Sequence, residues 1–228
     1  DSEVFYDFGT PHDPKFGEHC HPNCDCGRFM EIGNSVFMEY LKQEDGSFDQ
    51  LPKRNVDFGG GLERILAAIN DNGDVFEMDM FQEPITLLEK FSGKSYDDSR
   101  YTRSFRIIAD HARAAVFMIS DGIKPSNTEQ GYVLRRLIRR ASQHEMKLGL
   151  TDNQAEDSML VRCAVIYIEK YKAAYPELQG DEPFQRIKET IWEEEKQFAK
   201  TLSHGMKEFE RLISDIYEHG VSIVSGEQ

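Results

Sequence analysis

The sequence predicts an α+β protein, mixed strand and helix in its first part and all-helical in its second. β-rich runs lie only before Leu62, apolar residues recur at three- and four-residue steps from about residue 103 onward, and Ser92-Gly93-Lys94-Ser95 punctuates the two regimes. A division near residues 92 to 100 follows, giving expected domains of 1–92 and 93–228.

Taken in order, Val4 to Phe8, Phe29 to Leu41 and Asn55 to Phe58 read as strands, with a turn at Glu44-Asp45-Gly46-Ser47. If Phe29 to Tyr40 is one unbroken strand, Met30, Ile32, Asn34, Val36 and Met38 share one face. Phe29, Glu31, Gly33, Ser35 and Phe37 then share the other, which turns Glu31 away from Asn34. Helices are expected at 61–70 and over Met80 to Phe91. Four more follow at 103–120, 128–148, 155–174 and 183–218, separated by Gly122, Pro125, Gly149, Pro176, Gly180 and Pro183. The last would run about 54 Å at 1.5 Å per residue. Ile187, Ile191, Phe198, Leu202, Met206, Phe209, Leu212, Ile213 and Ile216 form its expected core stripe, and Glu193-Glu194-Glu195 a solvated face.

The chain has 228 residues and a net charge of −14, enough length for one sizeable core or two small ones. No apolar run is long enough to span a membrane, so no membrane partner is expected. Asp1-Ser2-Glu3 carries no signal-peptide pattern, and the chain reads as an excised piece of a cytoplasmic protein. Nothing in the sequence specifies an oligomeric state.

The negative total conceals a cationic island. From Arg100 to Lys147 there are ten Lys or Arg against four acids, a local balance of +6, while the rest sums to −20. Such an island suits a protein that grips one RNA surface and repels indiscriminate polyanion contact. Within it, at about 100° per residue, Arg135, Arg136, Arg139 and Arg140 fall in an arc of roughly 140°. Val133, Leu134, Leu137, Ile138 and Ala141 fill the opposite arc, so one face packs and the other meets solvent or RNA. The plainer alternative pairs those arginines with acids, and acids near them in sequence are few. The preceding loop, Lys124 to Gly131, is rich in short polar side chains able to reach base edges or 2′-hydroxyls.

A second constellation is Asn55-Val56-Asp57-Phe58-Gly59-Gly60-Gly61-Leu62-Glu63-Arg64, a strand that passes through three glycines into a helix with an arginine on its first turn. Glycines there leave bare backbone against which a base or ribose can lie, and Arg64 adds a permanent charge. A Walker loop is excluded because no Gly-Lys-Ser/Thr follows. Two structural alternatives stand beside this: a tight turn needing positive φ, and an ordinary Asp57–Arg64 ion pair.

This block resembles the third signature motif of class II aminoacyl-tRNA synthetases. Phe105 to Arg113, Gly131 to Ala141, Ser2 to Asp7, Glu31 to Met38 and Pro125-Ser126-Asn127, in the same order, resemble the alanyl-tRNA synthetase family. The resemblance implies a partial antiparallel sheet followed by a helical domain that recognises the acceptor stem of alanine tRNA and its G·U wobble pair. Asn127 and one arginine, Arg139 foremost, would make the direct contacts. It implies an alanine pocket lined by Asn34 and Val36 with Asp57 holding the α-ammonium. ATP would lie against Gly59, Gly60 and Gly61 with Arg64 on the triphosphate, and Mg²⁺ would be present in the intact enzyme. Arg64 and Asp57 are thus the expected catalytic residues of an alanine-tRNA ligase. Because the family's first two motifs would precede Asp1, residues 1–228 alone are expected not to form alanyl-adenylate. The competing reading is a non-catalytic tRNA-binding module; a nucleotide-binding domain unrelated to translation would have to explain every motif match separately.

His19-Cys20-His21-Pro22-Asn23-Cys24-Asp25-Cys26 gathers thiols and imidazoles suited to tetrahedral zinc. The expected ligands are Cys20, Cys24, Cys26 and His21, with His19 as the alternative and a metal-free loop as the competing reading. Cys163, amid Val161, Ala164, Val165 and Ile166, reads as buried core. His111 beside Asp110 reads as structural, because consecutive helix positions diverge by about 100°, and His204 has no evident partner.

Overall fold

The structure, a computed structural model, describes residues 1–150 and 158–219, with side chains described as far as residue 214. Two compact units are present, residues 1–82 and 83–228, and the division falls between Gln82 and Glu83.

The first unit is built on a three-stranded antiparallel sheet in the order β1 (Ser2–Asp7), β2 (Phe29–Lys42), β3 (Phe48–Gly60). The expected strand at Asn55 is longer than predicted because β2 and β3 form an extended hairpin. Its turn is closed by Gln43 N–H donating to Ser47 O at 2.9 Å, with Gly46 at φ +85° and the Asp45 carboxylate accepting from Ser47 N–H. Against the expectation of an unbroken strand, β2 carries a bulge. Val4 pairs with Gly33 and Phe5 with Glu31, leaving Ile32 as the extra residue. Ile32 O instead accepts from Gly61 N–H at 3.2 Å.

Parity therefore inverts at Ile32. Phe29 and Glu31 fall on the same face as Asn34 and Val36, which corrects the expectation that Glu31 points away from Asn34. A second irregularity lies between Met38 and Tyr40, opposite the stretch of β3 that contains Pro52, which has no N–H to give to the ladder. Beyond residue 35 the sheet is open, with Phe37, Tyr40, Phe48, Val56 and Phe58 all exposed. The helix α1 (Leu62–Ile69) leaves β3 directly and buries Ala67 and Ala68.

The helix α2 (Asp79–Ser92) contains the division between units. The second unit continues with α3 (Thr102–Ser120), α4 (Glu129–Leu148), α5 (Met159–Tyr171) and α6 (Asp181–His219). The expected start of the third of these helices, at residue 155, lies outside the described residues. Phe105, Ile108 and Ala112 of α3, Leu134 and Ile138 of α4, Leu160 and Tyr167 of α5, and Ile187 and Ile191 of α6 are fully buried and form one core. Cys163 belongs to it, as expected, and burial pushes its thiol far up from the ordinary range. Two caps set helix ends: Ser158 Oγ accepts from Val161 N–H at the start of α5, and Gly149 closes α4 at φ +78°.

The long helix departs from the expected stripe. Ile187 and Ile191 are buried, but Met206 and Phe209 are exposed, so among the described side chains full burial of the stripe is confined to the first half of α6; Ile216 lies outside the described side chains. Glu194 and Glu195, read as solvated, are buried as well. No helix among the described residues is long and apolar enough to cross a membrane.

Candidate functional site

The face of the sheet that holds Asn34 gathers the expected substrate residues. Asn34 pairs across the ladder with Gly59, and Val36 with Asp57, so the amide, the small apolar side chain and the carboxylate stand together. The three glycines differ in function. None has a positive φ, so the tight-turn alternative is not what requires them. A Cβ at Gly59 would meet nothing within 4 Å, whereas one at Gly60 would come within 3.2 Å of the Phe58 ring and 3.3 Å of Ile65 Cδ1. At Gly61 it would crowd Arg64 Cδ at 3.1 Å. Gly59 alone therefore offers open backbone, on the Asn34 face; Gly60 and Gly61 serve close packing.

Arg64, on the first turn of α1, does not pair with Asp57. Its Nη1 donates to Glu31 O at 3.2 Å and lies 3.5 Å from Glu31 Oε2, leaving about half the side chain exposed, at 52%. The bulge at Ile32 is what aligns Glu31 for this. Glu31 thus holds Arg64 beside the Asn34 face, a positioning role that the unbroken-strand reading did not contain.

The cysteine loop between β1 and β2 brings Cys20, Cys24 and Cys26 together, and the imidazole that joins them is His12. The four ligand atoms lie within 4.8 Å of one another. His21 and His19, the expected and alternative fourth members, are exposed and stand outside the group. His12 lies eight positions before Cys20, outside the compact Cys/His run of residues 19–26. Its hydrogen bond holds the Cys26 thiol down at about 6, while burial, reinforced by Cys26, pushes Cys20 up to about 11. At the base of the loop Arg28 donates to both Asp7 carboxylate oxygens at 2.8 Å and holds that carboxyl at about 2.

On α4 the arginine face divides in two. Arg136 and Arg140 are exposed, with Arg136 over the Tyr132 ring at 5.6 Å. Arg139 is half-buried: its Nε donates to Glu194 Oε1 at 2.6 Å and its guanidinium lies over Phe198. Arg135 lies 3.5 Å from the same carboxylate and donates to Asn127 Oδ1. The expectation that too few acids exist to pair this face is corrected here, because the acid comes from α6 rather than from sequence neighbours. Asn127 itself sits in a loop folded tightly back on α4. Ser126 N–H donates to Gly131 O at 3.0 Å, and a Cβ on Gly131 would approach Lys124 O to 2.5 Å.

Beside the arginines lies a cavity of about 510 Å³ lined by Arg103, Arg136, Arg139, Arg140 and Lys147, with His111 and His144. His144 is held down at about 4, first by burial and then by Lys147, Arg140 and Arg103. His111 Nδ1 bonds Asp110 at 3.0 Å and its buried Nε2 has no partner. His204 lines a different cavity, with Trp192 and Glu195. Arg103 and Lys147 were visible in the sequence only as members of the cationic island; Lys147 lies on α4 itself, and the packing of α3 on α4 brings Arg103 to the same cavity.

The whole chain, residues 1–228, matches the family of class II (A) tRNA synthetases. It is 42% identical over 214 residues to an alanine-tRNA ligase of Thermotoga sp. (strain RQ2), covering 93% of this chain and 24% of that protein. The alanine-tRNA ligase of Acetivibrio thermocellus is 38% identical over 228 residues, covering 99% of this chain and 25% of its own length. That of Borrelia hermsii is 40% identical over 219 residues, covering 95% and 35%. The chain thus spans about a quarter to a third of the length of these relatives.

Proposed function

Because this chain belongs to the class II tRNA synthetases (A), we propose that it forms part of an alanine-tRNA ligase, which joins alanine to its tRNA through an ATP-derived adenylate. The observation that carries this reading is the single sheet face on which Asn34, Val36, Asp57 and Gly59 stand together. A short side chain fits against Val36, the Asp57 carboxylate accepts from the α-ammonium, and Asn34 supplies an amide for orientation. Open backbone at Gly59 and the Arg64 guanidinium, steadied by Glu31, meet ATP. Positioning and neutralisation of phosphate charge suffice for the activation step, so no protein nucleophile is invoked. Mg²⁺, when bound in the intact enzyme, shares that neutralisation; Arg64 remains the cationic contribution of this chain.

The pocket discriminates against near-sized amino acids only weakly, since one methylene is worth about 1–3 kcal/mol. In this scheme residues 1–92 belong to the aminoacylation domain and 93–228 to a helical tRNA-recognition domain. The exposed apolar side chains of β2 and β3 suit a sheet face that packs against another part of such a ligase.

Recognition of the acceptor stem rests on Asn127, Arg135, Arg136, Arg139 and Arg140. The pairing pattern supports a split of labour among them. Arg136 and Arg140 are free to approach phosphates, while Glu194 fixes Arg139 and Arg135 fixes Asn127 for more exacting contacts. Zinc has a structural place in the loop before β2 and no step in the reaction.

The test is aminoacylation by a full-length ligase carrying this segment. Asp57→Asn should raise KM for alanine, and Asn127→Ala should erase the preference for a wobble over a Watson–Crick acceptor pair. An unchanged alanine KM and an unchanged pair preference would sink both assignments.

A further inference from the structure

The loop between Phe8 and Arg28 poses a problem of stability. Cys24 is the one buried residue in it, and its only regular element is a 3-10 turn at Pro14–Phe16 capped by Asp13. A segment of that length with one buried side chain has no apolar core of its own to offset its ordering entropy. Gly17 at φ +124° and Gly27 at φ +83° turn the loop, and Cys24 N–H donates to His21 O at 2.9 Å.

The geometry points to a structural zinc site formed by His12, Cys20, Cys24 and Cys26, which holds this loop against the start of β2. Two measured separations match the edges of a zinc tetrahedron. Zn–S bonds of about 2.3 Å and Zn–N bonds of about 2.05 Å at tetrahedral angles place sulfurs about 3.8 Å apart, and sulfur and nitrogen about 3.6 Å apart. Cys20 Sγ and Cys26 Sγ are 3.6 Å apart, and Cys24 Sγ lies 3.7 Å from His12 Nδ1. The tautomer is also fixed. His12 Nε2–H donates to Gly17 O at 2.8 Å, so Nδ1 turns its lone pair toward the sulfurs, the outer hydrogen bond that ligating imidazoles commonly make.

Three thiols and one imidazole select a soft, tetrahedral, redox-inert cation. On binding, the thiols that still carry protons release them to solvent and the ligand set closes around the ion, leaving no position open for a substrate. A disulfide between any two of the cysteines would leave the third thiol and His12 without a common purpose. The ion ties His12, near the end of β1, to Cys26, three residues before β2 begins at Phe29. It thereby steadies the approach to Glu31 and the Arg64 it holds. His19 and His21, though inside the cysteine run, stay outside the site.

The experiment is metal analysis of the tag-free protein purified from zinc-supplemented cells, with His12→Ala, His19→Ala and His21→Ala variants beside it. The expected result is about one zinc per chain in the parent and in the His19 and His21 variants, and loss of that zinc on desalting for His12→Ala. Cobalt(II) added to metal-free protein should give the thiolate charge-transfer band and intense visible bands of tetrahedral coordination, weakened for His12→Ala. Should that variant fold poorly, trypsin cleavage at the exposed Lys15 provides a second readout: zinc should protect the parent, and chelation should expose it. Metal-free protein that takes up no stoichiometric zinc or cobalt would overturn the site. So would a native thiol count lowered by a disulfide, or metal loss in His21→Ala matched by retention in His12→Ala.

Discussion

Glu195→Gln should remove a specific pH dependence of stability from the helical unit. Glu195 is 4% exposed and accepts from Ser142 Oγ at 3.0 Å and Ser158 Oγ at 2.5 Å, yet burial still raises its carboxyl from 4.5 to about 6. Glu145, 1% exposed, is raised in the same direction by burial and then by the charge of Glu195. A carboxyl whose folded-state pKa lies above its unfolded value contributes fully below the unfolded pKa, and the contribution is lost as pH rises through the folded value. For Glu195 that window runs from 4.5 to about 6, and the shift corresponds to about 2 kcal/mol. Glu145 extends the loss to higher pH. Urea unfolding followed by the fluorescence of Trp192, the single tryptophan, reports on this unit because Trp192 lines the same cavity as Glu195. The difference in unfolding free energy between parent and Glu195→Gln should fall by about 2 kcal/mol from pH 4.5 to pH 7, to the disadvantage of the parent. A difference constant to within about 0.5 kcal/mol would refute the buried-pair reasoning.

Other outcomes follow from the same structure. Gly131→Ala drives a methyl into Lys124 O and Ser126, so it should cost about 1–3 kcal/mol and displace the loop that carries Asn127, measured by urea unfolding and RNA affinity together. Leu134→Ala, at a fully buried site shared by α3 and α4, should cost about 2–5 kcal/mol in the same unfolding assay. Arg136→Ala and Arg140→Ala should each lower the slope of log affinity against log salt by about 1 for RNA. Glu194→Ala should loosen Arg139 and blur sequence preference with little change in that slope, as read by binding to paired acceptor-stem variants.

The elements were largely legible because their signals are local: apolar periodicity set α3, α4 and α6 to within two residues, and glycines and prolines marked their ends. What was not legible depends on geometry between distant residues. The bulge at Ile32 leaves no trace in the alternation of β2, yet it decides which face Glu31 occupies and hence what holds Arg64. His12 was separated from the cysteine run by a turn whose path only the folded loop defines. Glu194 looked like one of three solvated acids, but the packing of α6 on α4 buries it under two arginines. The apolar stripe of α6 was correctly periodic, and periodicity says which residues share a face without saying whether anything covers it; Met206 and Phe209 are exposed. That Asn34, Val36 and Asp57 share one face was legible from strand parity and the resemblance together, because the stretch of ladder that joins them is regular.

The most direct measurement is binding of the purified chain to alanine tRNA and to a variant whose acceptor wobble pair is changed to G·C, at two salt concentrations. The account predicts tighter binding to the wobble stem and a marked loss of affinity at the higher salt. Equal affinity for the two stems, or affinity indifferent to salt, would contradict an acceptor-stem grip by Asn127 and the arginines of α4.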